Sequence, residues 1–349
     1  MNRYLIYIAP GIGDFIVSVP LIRSIKDQDP TAVIDIFTCS NKQRIGLNKK
    51  MVELQGDICH CYYYTKDEPF HSLMFLLEAG YHSYDYGIVL EHANSKYMSS
   101  WPSKIIKFCC KMTIGGRNPY LNITYKKVIN RPDRYSIYDL ENDILQELGM
   151  KQSVKHHEYY VLDKYPSNCA IITKHPTIVF CIGSGHVANE KKYDPFALSL
   201  KSWPTKNWID LGNLLVERNY EVIFIGGTME EGMIRPYLNK LDTRVKNFIG
   251  KHSIKESLQV VREADLVVGV DTGLIHGAAI QGTPTLTLFG CTDYIVEHPF
   301  GVYSHIINSS IECSPCLGYD HSYTCTRNKC MQGISVAVVL DSILHIFER

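Results

Sequence analysis

The chain has 349 residues, and its 36 Lys and Arg residues balance its 36 Asp and Glu residues, so the formal net charge is zero. Hydrophobic residues make up 45% of the chain and charged residues 21%, which is typical of a globular protein and excludes a disordered or collagen-like one. The balanced charge argues against a protein that binds nucleic acid through a basic surface. The length predicts two domains.

The N-terminal apolar run, residues 4–9, is shorter than the core of a signal peptide and is closed by Pro10. Elsewhere, no stretch approaches the roughly 18 apolar residues that a membrane-spanning helix needs. We therefore expect a cytoplasmic protein whose 12 cysteines stay reduced or bind metal.

Apolar periodicity divides the chain into two cycles of strands and helices. The first cycle comprises strands at 5–9, 33–38 and 86–90 and helices at 14–26 and 140–148. The second comprises strands at 177–182, 221–225, 266–270 and 285–289, and helices at 208–218, 253–263, 274–280 and 336–347. Near-continuous apolar strands alternating with helices predict an α/β protein with two parallel-sheet domains, residues 1–165 and 166–349.

The first strand ends in Gly11-Ile-Gly13-Asp14, and a helix follows. A Gly-x-Gly turn in this place suits a dinucleotide, but Ile16 replaces the third glycine of that fingerprint. An acidic residue at the helix start also disfavours a pyrophosphate there. Two interpretations of Asp14 stay open: it caps the helix, or its carboxylate takes a proton from a substrate hydroxyl.

The strand at 266–270 runs into Asp271-Thr272-Gly273-Leu274-Ile-His276. Free amides at the start of the following helix bind anions, and Gly273 lets a phosphate approach the backbone closely. His276, in the first turn, can donate to the same anion. The alternative is an ordinary helix cap with a surface histidine.

Further loops follow strands at the same edge of the second sheet. Ser184 and Gly185 follow the strand at 177–182, Lys201 comes shortly afterwards, and Glu230 follows the strand at 221–225. A lysine neutralises phosphate charge, and an acid after a later strand commonly binds ribose hydroxyls. These loops together predict a nucleotide diphosphate site in the second domain.

These motifs resemble glycosyltransferase family 9, the bacterial ADP-heptose heptosyltransferases and their relatives. The resemblance rests on motifs in the family's order and spacing: Gly11-Ile-Gly-Asp14 with Pro20, Lys201-x-Trp203-Pro204, Gly226-Gly-x-x-Glu230, Asp271-Thr-Gly-Leu-x-His276 and Phe289-Gly-x-Thr292. It implies the GT-B fold, with two facing Rossmann-like domains and a cleft between them. It also implies inverting sugar transfer that needs no cofactor and no divalent metal.

The resemblance assigns roles residue by residue. Asp14 would be the general base, and Gly13 and Arg117 would bind the acceptor. The residues that would bind the donor are Ser184, Gly185, Lys201, Glu230, Asp271, Thr272, Gly273, Leu274 and His276. Within this set, Glu230 would hold the ribose and Asp271 the hydroxyls of the donor sugar.

The resemblance implies ADP-heptose as donor and a lipopolysaccharide core, or a related glycan or glycoprotein, as acceptor. Residues 103–132 carry seven basic and no acidic residues, which predicts attraction to an anionic acceptor or to the inner-membrane surface. Two alternatives stay open: a nicotinamide-dependent dehydrogenase, and a non-catalytic protein that binds a nucleotide sugar on the same scaffold.

Four cysteines fall within residues 313–330: Cys313, Cys316, Cys325 and Cys330. Four thiolates can form a tetrahedral zinc or iron site, and some members of the family bind iron. The alternative is a set of packed, reduced thiols. Cys59, Cys61, Cys109 and Cys110 are expected to be ordinary buried side chains.

Overall fold

The computed structural model describes residues 1–9, 11–39, 50–54, 56–64, 80–90, 101–116, 126–129, 135–153, 175–183, 200–316, 325 and 328–348. The chain divides into two compact units, Met1–Lys155 and His156–Arg349. The boundary expected after residue 165 falls in a stretch outside the described residues.

Unit 1 contains a six-stranded sheet in which every recorded strand pairing is parallel. Its strands are β1 (Arg3–Tyr7), β2 (Val33–Cys39), β3 (His60–Tyr64), β4 (Tyr84–Val89), β5 (Cys110–Gly116) and β6 (Lys127–Ile129). The helices described in it include α1 (Ile12–Val17), α2 (Val19–Gln28), α3 (Trp101–Cys109) and α4 (Ile137–Glu147). The order across the sheet is β3-β2-β1-β4-β5-β6.

Unit 2 repeats this plan with a second six-stranded parallel sheet. Its strands are β7 (Thr177–Cys181), β8 (Glu221–Ile225), β9 (Lys246–Asn247), β10 (Leu266–Val270), β11 (Thr285–Phe289) and β12 (Ser304–Asn308). Its helices are α5 (Thr205–Glu217), α6 (Glu231–Ile234), α7 (Ile254–Arg262), α8 (Gly273–Ile280), α9 (Tyr294–Glu297), α10 (Lys329–Gln332) and α11 (Val336–Phe347). Two 3-10 turns, Thr228–Glu230 and Arg235–Lys240, flank α6.

The order across the second sheet is β12-β11-β10-β7-β8-β9. Counted from the first strand of each unit, both sheets have the doubly wound order 3-2-1-4-5-6. The order reverses between β1 and β4 in unit 1 and between β7 and β10 in unit 2. In open α/β sheets, ligands bind at the carboxyl ends of the strands beside this reversal.

Both faces of the second sheet are covered, as its near-continuous apolar strands predict. On one face Phe180 packs against both Phe224 and the buried ring of Trp208. On the other face Val179 and Ile223 belong to a separate cluster with residues of α7 and α8. Because both faces are occupied by helices, the edge at the carboxyl ends of the strands is where loops can build a site.

Several elements differ from the expectations. The single helix expected at 14–26 is wrong: the chain breaks at Ser18, whose hydroxyl donates to the carbonyl of Phe15, and α2 then begins with Pro20 in its first turn. Proline has no N–H to continue the α-helical pattern, so a new helix starts there. Five strands, β3, β5, β6, β9 and β12, are absent from the expectations, because they are mostly short or carry polar residues and glycines.

None of the helices in the described ranges combines the length and the apolar character that crossing a bilayer requires.

Candidate functional site

The candidate site lies in unit 2, where the chain leaves β10 beside the reversal of strand order. Asp271 immediately follows β10, and its carboxylate Oδ2 lies 2.7 Å from the Nζ of Lys201. Both side chains are largely shielded from solvent, with 5% of the aspartate and 19% of the lysine exposed. The structure therefore joins two of the residues expected to bind a donor in a partly buried ion pair.

Each partner fixes the charge of the other. Burial by itself would raise the pKa of Asp271, but the Lys201 ammonium and a hydrogen bond from His276 outweigh it and hold that pKa well below its usual value. Burial would lower the pKa of Lys201, but the carboxylates of Asp271 and Glu297 raise it well above its usual value. The site thus carries a permanent cation and a permanent acceptor of hydrogen bonds at neutral pH.

His276 is the third member of this cluster. Its Nε2 lies 3.2 Å from Oδ1 of Asp271, and its ring is buried. A carboxylate can only accept, so Nε2 carries the hydrogen and Nδ1 is left for another group. Nδ1 of His276 and Oγ1 of Thr272 are buried without a hydrogen-bond partner among the described residues. Buried polar atoms of this kind call for a ligand or water, because leaving them unpaired costs free energy.

The start of α8 supplies backbone donors to the same place. Thr272 precedes the helix in extended conformation, and α8 begins at Gly273. The amides of Gly273 and Leu274 have no acceptor within the helix, because they belong to its first turn. A helix start and a lysine ammonium together form a site for an anion.

Glu230 occupies the neighbouring strand end. One of its carboxylate oxygens accepts a 2.7 Å hydrogen bond from the amide of Gly227, after β8. A methyl group on Gly183, after β7, would lie 3.1 Å from the Glu230 carboxyl carbon, so the two loops touch. The carboxylate therefore lies at the same edge of the sheet as Asp271, on the far side of β7.

Asp14 lies at the corresponding edge of unit 1, in the first turn of α1, and its side chain is exposed. It does not cap the helix: Gly11 occupies the cap position, and no side chain hydrogen-bonds there. The carboxylate instead folds back over Gly11, where an added methyl group would clash with Oδ2 of Asp14. Gly13, expected on the acceptor side, is a half-buried residue of the same helix.

Three expected site residues, Ser184, Gly185 and Arg117, lie outside the described residues. Sequence reasoning missed Glu297, whose carboxylate acts on Lys201 from helix α9. Its position in a four-residue helix after β11 carries no motif, so no signal in the sequence could have found it.

The zinc or iron site expected at the four cysteines of residues 313–330 stays a prediction. Cys313 is exposed, Cys325 is partly exposed, and Cys316 and Cys330 are buried. In the described part of the chain, no three His, Cys, Asp or Glu side chains are arranged to hold a metal ion. The expectation that Cys59 is buried is wrong, because it is exposed just before the edge strand β3.

The two parallel-sheet units, each with the same doubly wound order, define a GT-B protein. The model of glycosyltransferase family 9 (heptosyltransferase) matches residues 135–327, and the chain belongs to this family.

Individual curated proteins are similar to this chain over only part of its length. Lipopolysaccharide heptosyltransferase 1 of Pseudomonas aeruginosa is 32% identical over 128 residues, which are 36% of this chain and 34% of that protein. The chain thus spans about a third of the length of the curated relatives that it matches.

Two solved structures share the fold over nearly the whole chain. A family 9 glycosyltransferase from Veillonella parvula has a TM-score of 0.70 at 17% identity, covering 99% of this chain and 97% of that one. A heptosyltransferase from E. coli, solved with ADP, has a TM-score of 0.67 at 16% identity, covering 99% of each chain.

Proposed function

We propose that the chain is an inverting sugar-nucleotide glycosyltransferase that moves a heptose from ADP-heptose to a hydroxyl of a lipopolysaccharide core or a related glycan or glycoprotein. The observation that carries the proposal is the cluster of Lys201, Asp271 and His276 at the start of α8, with buried donor and acceptor atoms left for a ligand. Its relatives are named heptosyltransferases, and one neighbour was solved with ADP.

The donor diphosphate fits the start of α8. Its negative charge would meet the Lys201 ammonium, the free amides of Gly273 and Leu274, and the hydroxyl of Thr272. When the bond to the anomeric carbon breaks, charge builds up on this leaving group, and fixed donors stabilise it most at that moment. No metal is needed to neutralise it if these groups do so.

Two carboxylates of the candidate site, Asp271 and Glu230, could each accept hydrogen bonds from one of the two sugars of the donor. Asp271 stays ionised because Lys201 and His276 lower its pKa, so its oxygens can accept hydrogen bonds from hydroxyls of the transferred sugar. Glu230, anchored on the Gly227 amide, would accept from the ribose hydroxyls. Bidentate acceptance by a carboxylate distinguishes a sugar from an apolar group.

Asp14 would act as the general base on the acceptor hydroxyl. An exposed carboxylate is weakly basic in water, but the hydroxyl becomes acidic as its oxygen bonds to the anomeric carbon. A weak base can therefore take the proton late in the reaction. This sequence of events requires no covalent intermediate, and it inverts the configuration at the sugar.

The basic stretch at 103–132 supports an anionic acceptor or membrane surface. Lys104, on α3, is exposed. Part of the charge is neutralised locally, because Lys111 pairs with Asp85 at 2.8 Å and Lys127 pairs with Glu147 at 3.1 Å. Co-sedimentation with phosphatidylglycerol vesicles, but not with phosphatidylcholine vesicles, is the expected result; binding to neither contradicts the membrane contact.

The function is tested by calorimetry with ADP, GDP, UDP and NAD, followed by a transfer assay with ADP-heptose. We expect binding of ADP in preference to the others. Asp14→Asn should bind ADP like the wild type yet lose transfer by about 10²–10⁴-fold, the usual contribution of a general base. Selective binding of NAD would favour a dehydrogenase instead. Selective ADP binding without transfer to any extracted glycan would indicate a non-catalytic protein.

A further inference from the structure

The segment that carries the cysteines is bonded to the residues around Lys201. Asn328 lies between Cys325 and Cys330 and is buried, with 8% of its surface exposed. Its side-chain amide donates a 2.8 Å hydrogen bond to the carbonyl oxygen of Ser202. Its side-chain oxygen accepts from the thiol of Cys330, at 3.6 Å. Because Ser202 directly follows Lys201, this bond fixes the backbone from which the lysine extends.

The backbone of Asn328 suits this position. Its φ of 46° and ψ of 40° place it in the left-handed region, just before α10. Asparagine is one of the few residues other than glycine that adopt this conformation readily. Asparagine can therefore adopt this backbone conformation and still supply the side-chain amide that bonds to Ser202.

A second bond holds the same stretch of chain. The ring of Trp203 is fully buried, and its Nε1 donates to the carbonyl of Ile334 at 2.9 Å. Ser202 and Trp203 are thus both tied to residues 328–334. The chain beside Lys201 has two consecutive anchors on one segment.

The cysteine segment also holds the loop after β11. The amide of Cys316 donates to the carbonyl of Cys291 at 2.8 Å, and the hydroxyl of Ser314 donates to the carbonyl of Gly290. A methyl group on Gly290 would lie 2.9 Å from the sulfur of Cys330. The segment therefore contacts both the Lys201 stretch and the loop that follows β11.

We propose that Asn328 is a positioning residue for donor binding: its amide holds the Ser202 carbonyl and thereby sets the place of the Lys201 ammonium. The inference rests on the proposed function, because it takes Lys201 to meet the donor diphosphate. The proposal assigns the cysteine segment a role in donor binding, and this role does not depend on a metal. Asn328 acts through Lys201 and is not assigned a contact with the donor.

The test measures ADP dissociation constants by calorimetry, and by ³¹P NMR titration where binding is weak. Asn328→Gly accepts the left-handed backbone but lacks the amide, and Asn328→Asp keeps the size but cannot donate to Ser202. We expect both to weaken ADP binding about three- to tenfold, the usual worth of one hydrogen bond. Asn213→Asp is the matched control, because Asn213 donates a similar 2.8 Å bond to the carbonyl of Lys240 on a different part of unit 2.

A double-mutant cycle separates positioning from a general loss of structure. In the Lys201→Met background, Asn328→Gly should change ADP affinity by less than a factor of about two, because the residue it positions is gone. An equal loss in both backgrounds overturns the proposal, as does wild-type affinity in both Asn328 variants. Failure of the wild-type protein to bind ADP would overturn the proposed function. That outcome differs from the two above, in which the wild-type protein binds ADP and only the role of Asn328 is overturned.

Discussion

Lys201 and Asp271 form a 2.7 Å ion pair although 70 positions separate them in the sequence. The lysine precedes α5, the aspartate directly follows β10, and the fold brings them together at the carboxyl edge of the second sheet. A pair that is this buried is costly to break, because the remaining charge is left without a partner. The same pair is the core of the proposed diphosphate site, so its structural and functional roles can be tested together.

We predict that Lys201→Met destabilises unit 2 by about 3–5 kcal/mol, because the Asp271 carboxylate is left buried and uncompensated. Adding Asp271→Asn should recover most of the stability but none of the affinity for ADP. Denaturant unfolding and ADP calorimetry on the same samples check both statements. Lys206→Met is the control, since Lys206 pairs with Asp210 on the surface and should cost less than about 1 kcal/mol. Recovery of ADP binding in the double variant would contradict the role of Lys201.

Gly11→Ala probes the placement of Asp14. The new methyl group would occupy the space of the Asp14 carboxylate, which must rotate away. Because an exposed side chain can move cheaply, we expect little change in melting temperature and in ADP affinity. Misplacing a general base should lower kcat about 10–100-fold.

The effect of Gly11→Ala should vanish in the Asp14→Asn background. Steady-state transfer assays on the two single variants and the double variant measure this. A loss of kcat that persists without the Asp14 carboxylate would show that Gly11 acts in some other way.

Glu141 gives a pH-dependent prediction for unit 1. It is fully buried in the apolar face of α4, and neither carboxylate oxygen has a hydrogen-bond partner among the described residues. Burial raises the pKa of Glu141 well above its usual value. The folded state therefore holds a proton that the unfolded state releases, and stability falls as the pH rises above the unfolded pKa of about 4.3.

Glu141→Gln removes this titration while keeping the shape of the side chain. Calorimetric unfolding curves of the two proteins should converge near pH 4 and separate toward pH 8, with the variant the more stable. Glu147→Gln on the same helix is the control, because Glu147 is exposed. A variant that is less stable than the wild type at pH 8 would mean that the Glu141 carboxylate is stabilising.

Local sequence patterns predicted most of unit 2. The runs at 221–225, 266–270 and 285–289 were predicted with their actual bounds, because strands buried on both faces are continuously apolar. The Asp271–His276 cluster was also predicted, since its members are adjacent in the chain. Lys201 is distant from this cluster in the sequence. It could be assigned to the same site only by the rule that parallel strands end at one edge of a sheet.

What the sequence could not predict depends on contacts between distant residues. The bond from Asn328 to Ser202 joins positions 126 apart. Asn328 belongs to no motif, and Ser202 is the variable position of Lys201-x-Trp203-Pro204. The edge strands β3 and β12 are half exposed, so they lack the apolar runs by which the central strands are found. Pro20 indicates the helix break at Ser18. The apolar periodicity across residues 14–26 nevertheless favoured a single helix.

The account is tested most directly by a crystal structure of the protein with ADP. We predict diphosphate oxygens within about 3.2 Å of the amides of Gly273 and Leu274 and Oγ1 of Thr272, with the Lys201 ammonium beside them. A diphosphate bound at the Gly11-Ile-Gly13 turn of unit 1, with the start of α8 free of phosphate, would contradict it.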